Sequence, residues 1–170
     1  MKDRPQEEEI PTFYREYVRK VSGTDLIEGL GIALARCDSF GAGSSEDMGD
    51  HRYAPGKWSI KQVLQHLNDC ERILAYRALC FARGEQLELP GFEEDAYAEQ
   101  ADCSHRTIGD LLLEHRTIRT GTIALFRSFT PEMLVRSGTA NGIRISVRAI
   151  GWSIAGHAEH HCDILEQRYR

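Results

Sequence analysis

Residues 58–84 read WSIKQVLQHLNDCERILAYRALCFARG. Ser59 can accept a bond from the backbone N–H of Gln62, and the Gln62 side chain can return it, which is a capping box. Behind this start, Ile60, Val63, Leu67, Cys70 and Leu74 recur at helical spacing and form one apolar stripe. Gly84 can adopt the left-handed conformation that ends a helix. The stretch therefore predicts a long amphipathic helix, and such a helix needs partners of its own kind.

The partners lie on both sides. Residues 12–35 predict a first helical region, interrupted near Ser22-Gly23-Thr24. Thr24 is the expected cap of its second piece, whose apolar residues include Leu26, Ile27, Leu30 and Leu34. Residues 41–56, rich in Gly, Ser and Asp, predict a loop. Residues 85–104 predict a second loop around Pro90-Gly91; it is long for a bundle connection, and long loops often border a site. A third helix is expected over 107–129, stopped by Thr130-Pro131. In SGTANGIRIS, residues 137–146, Asn141-Gly142 signals a turn, and the Arg/Ile alternation after it suits a short extended arm. The last helix is expected over 147–167. No internal repeat or low-complexity tract interrupts this order. The pattern reads as an all-α, antiparallel four-helix bundle, one domain over 1–170, with residues 1–10 a flexible tail.

Composition narrows the class. At 170 residues, with 41% hydrophobic and 28% charged residues, the chain resembles an ordinary soluble globular domain. A net charge of −5 without a Lys/Arg cluster argues against a nucleic-acid partner. The charged start, MKDRPQEEEI, is no signal peptide, and no apolar run approaches the roughly 20 residues that span a bilayer. Five scattered cysteines (Cys37, Cys70, Cys80, Cys103, Cys162) contain no C-x-x-C pair, which fits a reducing cytoplasm.

Chemistry concentrates in GHAEHHCDILEQRY, residues 156–169. On the last helix Ile150, Ile154, Ile164 and Leu165 share a stripe, and His157 and His161 project into its middle, one turn apart. His160 falls about 80° away, on the flank. On the second helix His66 stands roughly 60° from the stripe centre, beside Cys70 and Ile73. Were these helices neighbours, three imidazoles would converge. A lone buried histidine is usually a hydrogen-bonded core residue. A buried pair is harder to satisfy, and either a divalent metal or a buried hydrogen-bond network would serve it. The helix-borne patterns H-E-x-x-H, H-x-x-E-H and Glu-x-x-His are all absent.

The residues now assembled resemble the DinB/YfiT-like metalloenzyme family. The likeness lies in Trp58-Ser59 opening a helix, in H-L-x-D-x-E as His66 to Glu71, and in G-H-x-x-H-H as Gly156 to His161. The resemblance implies a four-helix bundle, often a homodimer, holding one divalent metal (Zn, Ni or Fe) through His66, His157 and His161. It implies a small-molecule substrate and, from the family's characterised members, S-transfer or isomerisation with a low-molecular-weight thiol. Metal-dependent hydrolysis and a non-catalytic, metal-binding stress-response module are the alternatives. Three neutral imidazoles leave a position open, as in catalytic rather than structural sites. Arg144 and Arg148 could give a carboxylate-bearing thiol a basic rim or simply be a solvated helix start. Asp69 and Glu71 could accept from the ligands or act as a base, or be exposed helix carboxylates, and Cys70 could approach the metal or be a small buried apolar residue.

Overall fold

The computed structural model describes residues 4–169. Local chemistry sets each helix boundary. Helix α1 (Arg15–Lys20) is short, and α2 (Leu26–Ala42) starts where the Asp25 carboxylate accepts from Glu28 N. The cap is thus Asp25 and not Thr24, whose hydroxyl and N–H instead bond the Glu28 carboxylate. Helix α3 (Ile60–Ala82) has the expected Ser59/Gln62 capping box, and Gly84 past its end has φ of 88°. The 85–104 connection contains a helical turn, α4 (Glu94–Gln100), that its composition did not announce. Helix α5 (Ile108–Arg127) is boxed by Thr107 and Asp110. Thr130 caps a further turn, α6 (Pro131–Leu134), because proline at the first helical position lacks only an N–H that has no partner there anyway.

Strands β1 (Ser137–Ala140) and β2 (Ile143–Ser146) pair antiparallel, Ser137 opposite Ser146 and Ala140 opposite Ile143. Asn141 and Gly142 both have positive φ (52° and 69°), as a tight hairpin turn requires. Leu89 bridges to Ala140 beside them. Ser146 then caps α7 (Val147–Arg168) through Ala149 N.

Helices α2, α3, α5 and α7 form a four-helix bundle in which α7 packs on α2 and α3, and α5 closes the ring against both. Helix α1 lies along α7. Burial of α7 is nearly continuous from Val147 to Cys162, so the narrow stripe expected for it is too modest. Small residues admit its neighbours on every side: a Cβ on Gly151 would meet Leu26 and Phe126, and one on Gly156 would meet the Tyr17 backbone.

The segment expected as a flexible tail packs over residues 4–10; residues 1–3 lie outside the described residues. Ile10 is buried in the core, Arg4 sits over the Trp152 ring, and Glu9 pairs with Arg148 while accepting from Ser146 Oγ at 2.7 Å. Apolar and ionic contacts together outweigh the entropy of a polar terminus.

The apolar core is in two parts. One gathers Leu26, Leu30, Leu74, Phe81, Phe126 and Ile150; the other gathers Cys37, Phe40, Ile60, Leu67, Ile108 and Leu165. Between them runs a buried polar layer. Arg119 donates from Nε and Nη2 to Glu71, 2.8 Å each, and from Nη1 to Leu30 O. Beside it His115 Nδ1 meets Asn68 Oδ1 at 3.1 Å. No helix among the described residues is long and apolar enough to cross a membrane.

Candidate metal centre

The histidines gather between α3 and α7. Helix α7 presents His157 and His161 one turn apart, and α3 presents His66 across from them. His157 Nε2 lies 3.1 Å from His66 Nε2 and 3.0 Å from His161 Nε2. All three rings are nine-tenths buried or more. His160, on the flank as expected, packs at a tilt against Tyr17 and lies outside the cluster. His51 and His105 are exposed, and His115 belongs to the polar layer.

Burial is the main reason that all three imidazoles are neutral. It lowers His66 to about 4, and it lowers His157 and His161 well below their ordinary value, with the neighbouring imidazoles adding to the effect. A neutral ring nitrogen carries one lone pair or one proton, so His157 Nε2 cannot satisfy two nitrogen neighbours well. The donor set fits a divalent cation, since tetrahedral ligands at zinc–nitrogen distances stand roughly 3.3 Å apart. The three ligand atoms all lie within 4.8 Å of one another and could hold such an ion.

The groups around the rings are fewer than the sequence suggested. Cys70 Sγ approaches His66 Nδ1 at 3.5 Å, and His161 Nδ1 is buried without a partner among the described residues. Burial pushes the Cys70 thiol up to about 12, so it is a protonated, compact neighbour. Neither carboxylate of the H-L-x-D-x-E stretch reaches the rings: Asp69 accepts from Gln65, and Glu71 is committed to Arg119. The rings are instead wedged by aromatics, Trp58 against His66 at 4.7 Å and Tyr17 against His157 at 5.4 Å between centroids.

One face of His157 opens on a cavity of about 380 Å³, within the range of small-molecule sites. Tyr14, Tyr17 and Phe92 wall it, Leu74 and Ile150 line it with Cys70, and Arg77, Glu93 and Glu94 supply charge. Sequence reasoning missed Arg77, whose only signal is its place on the same face of α3 as His66. It also misjudged the basic rim: Arg148 is bound to Glu9, and Arg144 is exposed on the hairpin and does not line the cavity.

A family model described as the DinB superfamily matches residues 33–165, a span that contains all three histidines. Among solved structures the fold is similar to YfiT from Bacillus subtilis, described as a probable metal-dependent hydrolase with an unusual four-helix bundle topology. That likeness has a TM-score of 0.74 at 18% sequence identity and covers 96% of this chain and 89% of the other. No curated protein matches the sequence.

Proposed function

The chain belongs to the DinB superfamily, and from that premise we propose that it is a metal-dependent enzyme, with hydrolysis of a small-molecule substrate the reading best supported. One observation carries it: three buried, neutral imidazoles converge on one point, and one of them also lines a substrate-sized cavity. A divalent ion held there would act as a Lewis acid and lower the pKa of a water or thiol in its open position. His66, His157 and His161 would be its ligands, and Tyr17 and Trp58 would keep bulk water from the ring edges. Glu94 is the carboxylate placed to take a proton in the cavity. Partial burial first, then the adjacent Asp95 and Glu93, push its pKa up, toward the range useful for proton transfer at neutral pH. The description of YfiT as a probable hydrolase supports water as the nucleophile.

S-transfer or isomerisation with a low-molecular-weight thiol is the second reading. It is favoured by Arg77, a cation in the cavity wall that could meet a carboxylate of such a thiol. A cytoplasmic location and association as a homodimer accompany either reading, and a monomeric mass at micromolar concentration would count against the latter.

The test is elemental analysis of protein purified without a histidine tag, followed by turnover of ester, amide and electrophile panels with and without thiols. Hydrolysis without thiol is the expected result. His66→Ala should weaken metal affinity by orders of magnitude and abolish turnover while the helices persist, and His66→Gln should be milder. Full metal occupancy and turnover in His66→Ala would refute the site. Tight metal binding with no turnover on any panel would leave a non-catalytic module.

A further inference from the structure

Arg77 is 7% exposed, yet among the described residues its one hydrogen bond runs from Nη2 to Pro90 O at 2.8 Å, and no carboxylate pairs with it. The contrast within the same helix pair is sharp. Arg119, fully buried, is held by both oxygens of Glu71. The partly buried Arg36, Arg106 and Arg148 each have a carboxylate partner as well. A buried cation without a counter-charge is costly unless something else supplies one. Its guanidinium lines the same cavity as His157.

We propose that Arg77 anchors a carboxylate on the substrate, so that the enzyme acts on monocarboxylic acids with an apolar or aromatic body. Arg77 follows His66 by eleven residues, which returns it to within about 20° of the same face, roughly 16 Å along the helix. Cys70 and Leu74 lie between them on that face and line the cavity. The cavity therefore follows α3 along Cys70, Leu74 and Arg77, with His157 of α7 as the one cluster histidine in its wall. A ligand filling it presents its reacting group at one end and its carboxylate at the other, with the spacer against Leu74, Ile150 and the aromatic wall. Glu93, which precedes α4, and Glu94, which opens it, line the same cavity. They repel a second anionic group, and that filter selects one carboxylate over several. The inference deepens the enzymatic reading above and rests on it for the word substrate; the carboxylate site itself stands on Arg77 and the cavity.

The probes are phenylbutyrate, its neutral amide phenylbutanamide, and glutathione as a thiol with more than one carboxylate. Binding is read by titration calorimetry on the intact protein, with metal present and after chelation. Phenylbutyrate should bind wild type about tenfold or more tighter than the amide, as a charge-assisted pair implies. Arg77→Met should erase that ratio, and Arg77→Lys should keep part of it. A merely structural Arg77, one that only holds Pro90, would weaken acid and amide alike and leave the ratio intact, which overturns the proposal. Equal binding of acid and amide by wild type overturns it without any variant, so a poorly folded Arg77→Met does not shield it. Tighter, Arg77-dependent binding of glutathione would move the carboxylate from substrate to thiol and overturn the monocarboxylate assignment. Loss of metal binding would sink the preceding reading, while the acid-to-amide ratio still decides this one.

Discussion

Gly156 is the residue at which the helix rule and the packing rule disagree in sign. In an open helix, replacing Gly by Ala is stabilising by about 1 kcal/mol, because alanine has less backbone freedom to lose. Gly156 is not in an open helix. A Cβ there would stand 1.9 Å from Tyr17 O and 2.3 Å from Tyr17 C, atoms of the α1 backbone that no rotamer change can move aside. Helix α1 must retreat by more than ~1 Å to restore van der Waals contact. That retreat exposes part of Val18, which is 3% exposed, and a fully buried valine contributes about 1.5–3 kcal/mol. Subtracting the propensity gain, Gly156→Ala should destabilise by about 0.5–2 kcal/mol, or lower Tm by about 1–8 °C in a chain of this size. Gly121 is the matched control, interior to α5 with nothing within 4 Å of its virtual Cβ. Gly121→Ala should raise stability by about 0.5–1 kcal/mol. Urea unfolding followed by far-UV circular dichroism measures both. If Gly156→Ala proves as stabilising as Gly121→Ala, α1 does not dock on α7 at this contact, and the lid that Tyr17 makes over His157 goes with it.

Metal titration should separate the neighbouring histidines: His157→Ala and His161→Ala abolish binding, whereas His160→Ala keeps most of it, and identical behaviour of all three would void the face assignment. Glu71→Gln leaves Arg119 buried without its counter-charge and should destabilise by about 3–5 kcal/mol at neutral pH, measured by urea unfolding. Burial raises the Glu71 pKa, but the Arg119 charge and hydrogen bonds outweigh it and hold the folded value below 4.5. A depressed folded pKa gives a contribution that is complete above pH 4.5 and lost as pH falls through the folded value. Wild type should therefore weaken on acidification below about pH 4.5, Glu71→Gln less steeply, and parallel slopes would contradict the pairing.

What was legible in the sequence follows from what local chemistry determines. The capping boxes at Ser59 and Thr107 fix helix starts through bonds three residues long, so α3 and α5 begin where expected. The Asn141-Gly142 turn was readable because few residues other than these accept positive φ. Two inward slots on α7 identified His157 and His161, for a polar ring at a leucine position asks for a partner. Long-range partners were not legible. Glu71 looked like an exposed helix carboxylate because nothing near it in sequence reveals Arg119, 48 residues away. Arg148 looked available because its partner, Glu9, lies in a segment whose composition reads as tail. Helix α4 was hidden because its exposed, acidic residues lack an apolar stripe, with only Ala98 buried.

The division of work between α3 and α7 explains why the same two helices carry both fold and site. Helix α7 is buried on nearly every side, so its His157–His161 spacing is set by one rigid turn that no neighbour can widen. Helix α3 carries the third imidazole and, on the same face, Cys70, Leu74 and Arg77 along the cavity. On its other side α3 is pinned by Glu71 to Arg119 and by Asn68, whose Nδ2 donates to Leu111 O at 3.1 Å, both on α5. The buried ion pair thus lies directly behind the histidines and holds the helix that must not rotate. A rotation of α3 by one residue's angle, about 100°, would take His66 off the cluster and Glu71 off Arg119 together. The polar layer that interrupts the core is therefore what fixes the angular setting of α3. Apolar packing alone would do this less strictly, since one aliphatic side chain slides past another at smaller cost than a buried charge leaves its partner.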